Sequence, residues 1–343
     1  MNYTAFFSSL KEGRIEKCYL FDGTEEYIKQ QALKRLEEKL LPPGLEDLNL
    51  TLQENPDAAS FMAACDTMPF LGEKRLVVVK ECASLLTTKK ADNDDTAEAM
   101  AEYLADPSPD CCIVFYVKGK ADSRKKLYKA ILKHGVNVDF SPMSEGESAK
   151  WAIKTLKVQK KILSPAVADY LVFTVGKDAS TLTQEMQKLI SYTGDREEIT
   201  KEDIDAICIR SLECNVFEMV DAQVSGNLPK ALTFLNEMLR NGEEPFMIQA
   251  LLLRQYRLLY HARRLGEEGV PSSQLAPLLG IPPFTVGRTQ QQARSFSLEK
   301  LRQAYDYLMD LEYRLKQGLA PQNGCVETAM VYLQQLLHES KGE

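Results

Sequence analysis

The chain has 343 residues, enough for two or three domains each with its own core. Its composition, 44% hydrophobic and 27% charged, is that of an ordinary soluble protein, and its net charge of -7 excludes general adhesion to nucleic acid or anionic membrane, so any DNA contact must be local. Eight cysteines include no C-x-x-C pair, and His134, His261 and His338 are scattered, which argues against a zinc site and reads the thiols as small hydrophobes in a reducing cytosol.

The opening Met1-Asn2-Tyr3-Thr4 has no basic region ahead of an apolar stretch, and the longest apolar run, Cys111 to Val117, is far too short to span a membrane. The expected location is the cytoplasm. Phe6, Phe7 and Leu10 predict a short amphipathic helix ending near Gly13. Cys18 to Phe21 predicts a buried strand, followed by a glycine turn and a helix with Ile28, Ala32, Leu33, Leu36 and Leu40 at helical spacing. A phosphate loop in this place needs G-x-x-x-x-G-K-[ST], because glycine amides and a lysine wrap the phosphates while a hydroxyl holds magnesium. The turn instead reads Gly23-Thr24-Glu25-Glu26, whose carboxylates would repel a triphosphate.

Leu48 to Leu52 predicts a second strand, and Asn55-Pro56 a helix start with the cap followed by proline. That helix, lined by Phe61, Met62, Ala64 and Cys65, runs into Met68-Pro69-Phe70-Leu71-Gly72. Three large apolar side chains here surround a proline in turn chemistry, so they either fold back over a core edge or protrude for a partner to cover. Leu76 to Val79 predicts an inner strand of a parallel sheet. Ala91-Asp92-Asn93-Asp94-Asp95 predicts a mobile acidic segment, followed by a helix to about Leu104 and strands at Cys111 to Val117 and Val136 to Phe140. Neither Leu76 to Val79 nor Cys111 to Val117 ends in an Asp-Glu pair that could handle magnesium and water. Strands alternating with helices predict a parallel α/β sheet over residues 1–142.

Between Lys118 and Lys161 twelve Lys or Arg residues face four Asp or Glu, a local excess of +8. Arg124, Lys125, Lys126, Lys129 and Lys133 follow helical spacing, as do Lys150, Lys154, Lys157 and Lys161. These rows read either as solvated helix faces or as faces passing near DNA phosphates. Residues 143–210 predict a small helical unit with Trp151, Ile153, Leu156, Ile162, Leu171, Leu182, Met186, Leu189 and Ile190 in its core, and Thr200-Lys201-Glu202-Asp203 a capping box. Residues 211–343 read as a bundle of amphipathic helices broken at Asn241-Gly242, Gly266 to Pro271 and Gly280 to Pro283.

Several stretches together resemble the delta subunit of the bacterial DNA polymerase III clamp loader. They are Tyr19-Leu20-Phe21-Asp22-Gly23-Thr24-Glu25-Glu26-Tyr27, Met68 to Val79, Val175-Gly176-Lys177-Asp178 with Glu185-Met186-Gln187-Lys188-Leu189, and Val216-Phe217-Glu218-Met219-Val220-Asp221-Ala222. Gly242-Glu243-Glu244-Pro245, Arg254-Gln255-Tyr256-Arg257 and Arg314-Leu315-Lys316-Gln317-Gly318 complete the ordered set. The sequence departs from the family at Gln317, where a small hydroxyl residue is more usual, and at Lys160-Lys161, where a glycine is common.

The resemblance implies an α/β AAA+-type domain without a functional P-loop (1–142), a small helical lid domain (143–210) and an all-α collar domain (211–343) that joins a five-subunit ring. It implies that Met68, Pro69, Phe70 and Leu71 dock on the beta sliding clamp and help to open the ring for loading onto primed DNA. Its other partners would be the clamp-loader ATPase (tau/gamma) and delta prime subunits. On the DNA-facing reading of the two basic rows, and not from the resemblance, Arg124, Lys125, Lys126, Lys150, Lys154, Lys157 and Lys161 would be the DNA-proximal residues. No catalytic, nucleotide-binding or metal-binding residues and no cofactors are expected, the chain serving a DNA-directed DNA polymerase complex without chemistry of its own. The alternatives are the ATPase motor of the same loader, its delta prime subunit, or a DNA-binding scaffold of the same fold. The absent phosphate-loop lysine, the absent zinc cysteines and Ser-Arg-Cys finger, and the acidic total argue against each in turn.

Overall fold

The computed structural model describes residues 1–87 and 94–338. The chain forms two compact units that meet in sequence at Pro142 and Met143. The first contains strands β1 (Cys18–Asp22), β2 (Leu50–Glu54), β3 (Arg75–Lys80), β4 (Cys111–Tyr116) and β5 (Val136–Asp139). They pair in parallel in the order β2-β3-β4-β1-β5. Helices α1 (Tyr3–Lys11), α2 (Glu26–Leu40), α3 (Glu46–Asn49), α4 (Ala58–Asp66), α5 (Asp94–Tyr103) and α6 (Lys126–His134) accompany them.

β1 and β4 are buried along their whole length, as continuous apolar runs in a sheet covered on both faces must be. Alternation divides their side chains. Cys18, Leu20, Cys111, Ile113 and Phe115 pack with Phe61, Val77, Val79, Leu127 and Ile131 in one cluster. Tyr19 and Phe21 turn the other way, each meeting Phe6 edge-on at 5.3 Å between ring centres. Cys111 and Cys112 thus serve opposite faces, as expected. Burial pushes the Cys18 and Cys112 thiols up, so they stay protonated and behave as hydrophobes.

Two local expectations are corrected. The second strand begins at Leu50, because Leu48 and Asn49 belong to α3, where the Asn49 carboxamide donates to the Leu45 carbonyl at 3.2 Å. The next helix is capped by Asp57, which accepts from the Ser60 N–H at 2.7 Å. Asn55 lies outside that helix with φ 44° and accepts from the Ala83 N–H instead. In the predicted mobile segment, Ala91, Asp92 and Asn93 lie outside the described residues, while Asp94 and Asp95 open α5.

The second unit is helical. α7 (Glu145–Val158), α8 (Pro165–Val175), α9 (Ala179–Thr193) and α10 (Lys201–Ile207) share a core of Ala152, Leu156, Leu171, Leu182, Met186, Leu189 and Ile204. Trp151, Ile153 and Ile190 pack at its margin, whereas Ile162, expected inside, is exposed. Capping boxes open α7 at Ser144/Glu147 and α10 at Thr200/Asp203.

Then follow α11 (Leu212–Val224), α12 (Leu228–Arg240), α13 (Pro245–Glu267), α14 (Ser272–Leu279), α15 (Pro283–Arg294), α16 (Leu298–Lys316) and α17 (Cys325–His338). They enclose a second core that includes Leu235, Leu252, Tyr256, Leu308 and Leu333. Inside it, the Tyr256 hydroxyl donates to Gln223 Oε1 (2.9 Å), and Gln223 Nε2 donates to the Met330 carbonyl (2.8 Å). This polar thread ties α11, α13 and α17 in one register.

Candidate functional site

The chain between α4 and β3 leaves the fold carrying apolar side chains. Met68 is 85% exposed, Phe70 53% and Leu71 77%, with Pro69 half-buried between them. Isolated exposed apolar residues are ordinary, but three large ones within four positions on one loop form a surface suited to burial against another protein. None of these side chains is an acid, a base or an activated nucleophile. What they can do is bind.

The backbone beneath these side chains is held firmly. Thr67 Oγ1 donates to the Ala63 carbonyl at 2.7 Å, closing the end of α4. The buried Arg75 guanidinium, at the start of β3, donates to the carbonyls of Thr67 (3.3 Å) and Met68 (3.4 Å) and to Thr51 Oγ1 (2.7 Å). From α3, Asn49 Oδ1 accepts from the Phe70 N–H at 2.7 Å, and its Nδ2 donates to the Phe70 carbonyl at 3.0 Å. Lys74 Nζ donates to the Pro109 carbonyl. Leu71 has φ 49°, a left-handed conformation that costs a leucine about 1–2 kcal/mol. Gly72 is packed so closely that a Cβ there would lie 2.9 Å from Pro42 Cγ.

The carboxyl end of the sheet has a different character. β1 connects toward β2 and β4 toward β5, in opposite directions across the sheet, and such a divergence marks the crevice where open α/β sheets take their ligands. Lys29 of α2 lies there with 0% exposure. Its ammonium donates to the carbonyls of Gly23 (2.6 Å) and Val117 (2.8 Å) and to Glu26 Oε1 (2.7 Å). The Tyr116 hydroxyl donates to Glu26 Oε2 at 2.8 Å, and burial followed by this hydrogen bond pushes its pKa up, keeping it a donor. Gly23, φ 134°, could not be replaced without a Cβ 2.3 Å from the Phe140 carbonyl group. Among the described residues no group of three or more His, Cys, Asp or Glu could hold a metal ion, and no helix is long and apolar enough to cross a membrane.

The basic residues are dispersed in function. Arg124 makes a two-pronged pair with Asp122 (2.9 and 2.8 Å), Lys125 immediately precedes α6, and Lys126 pairs with Glu98 at 3.5 Å. Lys129 and Lys133 are exposed on α6, and Lys150, Lys154 and Lys157 are exposed on α7. Lys161 departs from the helical row expected of it: α7 ends at Val158, Lys160 turns left-handed at φ 58°, and Lys161 is buried. Its ammonium donates to the carbonyls of Gly194 and Arg196, both at 2.6 Å.

Phe70 and Leu71 can be picked out from sequence, but Asn49, Arg75 and Lys29 cannot. Asn49 falls within the span whose pattern predicts a strand. The only hints for Lys29 are its position on the apolar side of α2 and its spacing of three from Glu26.

The family model of the DNA polymerase III delta subunit matches residues 19–141, and the model of that family's C-terminal domain matches residues 213–333. The chain is 33% identical over 341 residues to DNA polymerase III subunit delta of Bacillus subtilis, covering 98% of this chain and 97% of that protein. It is 21% identical over 315 residues to the Escherichia coli subunit delta, covering 90% and 89% respectively. The solved structure of the Bacillus subtilis DNA clamp loader delta protein matches with a TM-score of 0.59 at 31% identity, covering 97% of this chain and 99% of that one. With these matches the chain belongs to the DNA polymerase III delta subunit family.

Proposed function

We propose that this chain is a clamp-loader component that grips the beta sliding clamp through Met68, Pro69, Phe70 and Leu71 and holds the ring open for loading onto primed DNA. The observation that carries this reading is an apolar loop tip whose side chains face outward while Asn49 and Arg75 hold its backbone. A tip of this kind can enter a pocket with little ordering cost, which suits a central hot spot.

The mechanism needs no bond to break. A protein that binds an open ring more tightly than a closed one shifts the ring toward open by that difference in affinity and by no more. ATP would act through partner subunits, the tau/gamma ATPases together with delta prime, which expose or cover this surface. Residues 143–210 would be the lid and 211–343 the collar that joins these partners. The Lys29 ammonium, already hydrogen-bonded to Gly23, Glu26 and Val117 in the crevice of the sheet, favours a chain that holds no nucleotide there. On this reading the chain works in the cytoplasm as a non-catalytic member of the polymerase complex.

The test is the double substitution Phe70→Ala with Leu71→Ala. Each buried side chain contributes roughly 1.5–3 kcal/mol, so the pair should weaken clamp binding by about a hundredfold or more. Assembly with the loader partners should be unaffected. Pull-down and calorimetry against the purified clamp decide it, and wild-type affinity in the double variant would sink the assignment.

A further inference from the structure

We infer that Asn49 is a positioning residue for the docking loop: its buried carboxamide fixes the peptide groups of Phe70 so that the Phe70 and Leu71 side chains face outward. The inference rests on the clamp-docking reading and adds to it a residue that a partner would never touch.

Asn49 has no exposure, and a buried carboxamide is costly unless its hydrogen bonds are made. Here one bond goes to Leu45 in the turn before it, and the other two go to a single residue 21 positions away. Satisfying both the N–H and the C=O of Phe70 imitates the pairing of a β-bridge, at a point where the loop itself belongs to no strand. The next residue, Leu71, keeps a left-handed φ that leucine adopts only where its surroundings enforce it. Arg75 fixes the approach to the tip through the carbonyls of Thr67 and Met68, and Asn49 fixes the tip itself. With the carboxamide removed, the Phe70 peptide would turn to water and the segment from Met68 to Gly72 would sample many shapes, most of them unfit for a fixed pocket.

Asn49 can be separated from a merely stabilising residue by a double-mutant cycle on clamp affinity, using wild type, Asn49→Ala, Phe70→Ala and the combination in the full chain. Asn49→Ala should weaken binding roughly tenfold in the wild-type background, and by less than about threefold once Phe70 is gone. Equal losses in both backgrounds, or no loss in the first, would overturn the inference. Phe70→Ala binding as tightly as wild type would instead overturn the docking reading itself. A second measurement needs no variant: by hydrogen exchange on the unbound chain, the Phe70 amide should be protected well beyond that of an unstructured peptide. Exchange at the unprotected rate would mean that the carboxamide does not hold the loop.

Discussion

Lys29 places an ammonium at zero exposure, and the arrangement around it accounts for each of its three protons. Replacing it with methionine would leave the Gly23 and Val117 carbonyls buried without their donor and Glu26 without its counter-charge. The expected loss is about 2–3 kcal/mol, somewhat below that for a fully buried pair because Glu26 is partly exposed. Urea unfolding of Lys29→Met measures it, and adding Glu26→Gln should recover part of the loss. The roles of Lys29 and Asn49 are not settled by the sequence for the same reason: Val117 is 88 residues from Lys29 and Phe70 is 21 from Asn49. Contacts at such separations follow from topology, which local pattern does not specify. Phe70 and Leu71 stand out because an apolar pair in turn chemistry conflicts with its surroundings at close range.

Among the elements, those with one strong physical signature are legible in the sequence. Cys111 to Tyr116 is an unbroken apolar run too short for a helix of its kind, and it forms the sheet's fully buried β4. The Thr200/Asp203 capping box forms as its spacing requires. Expectation and structure part where two signals compete. Asn55-Pro56 carries the order of a helix start, yet Asp57 two residues later is an equally good cap and takes the role, while the Asn55 carboxamide accepts from Ala83 instead. Lys161 falls in a helical row only because nothing in the sequence announces that Lys160 turns left-handed.

The cap of α10 also sets a pH dependence. The Arg196 guanidinium holds the Asp203 carboxyl below its usual range against the opposing effect of burial, and the Thr200 N–H adds to this. A carboxylate whose folded pKa is depressed contributes stability that is present above its unfolded value, about 3.9, and lost as pH falls through the lower folded value. Asp203→Asn should therefore lower the melting temperature at neutral pH and flatten the fall in stability below about pH 4, as thermal melts across an acid series would show.

For the whole molecule, the acidic total disfavours general adhesion to DNA, and the exposed lysines of α6 and α7 are the candidate local contacts to test. If these faces pass near phosphates in the assembled loader, replacing Lys129 and Lys133, or Lys150, Lys154 and Lys157, with alanine should lower the slope of log affinity against log salt by about 0.7–0.9 per lost contact. Replacing Lys161 should leave that slope alone and destabilise the chain, since its ammonium is engaged internally. An unchanged slope in both sets would assign the rows to solvent.

At the ends of β1 and β4, where many α/β sheets couple their shape to a small molecule, this chain is braced from within by its own side chain. A small molecule could stabilise the fold there only by first displacing the hydrogen bonds of the Lys29 ammonium to the Gly23 and Val117 carbonyls.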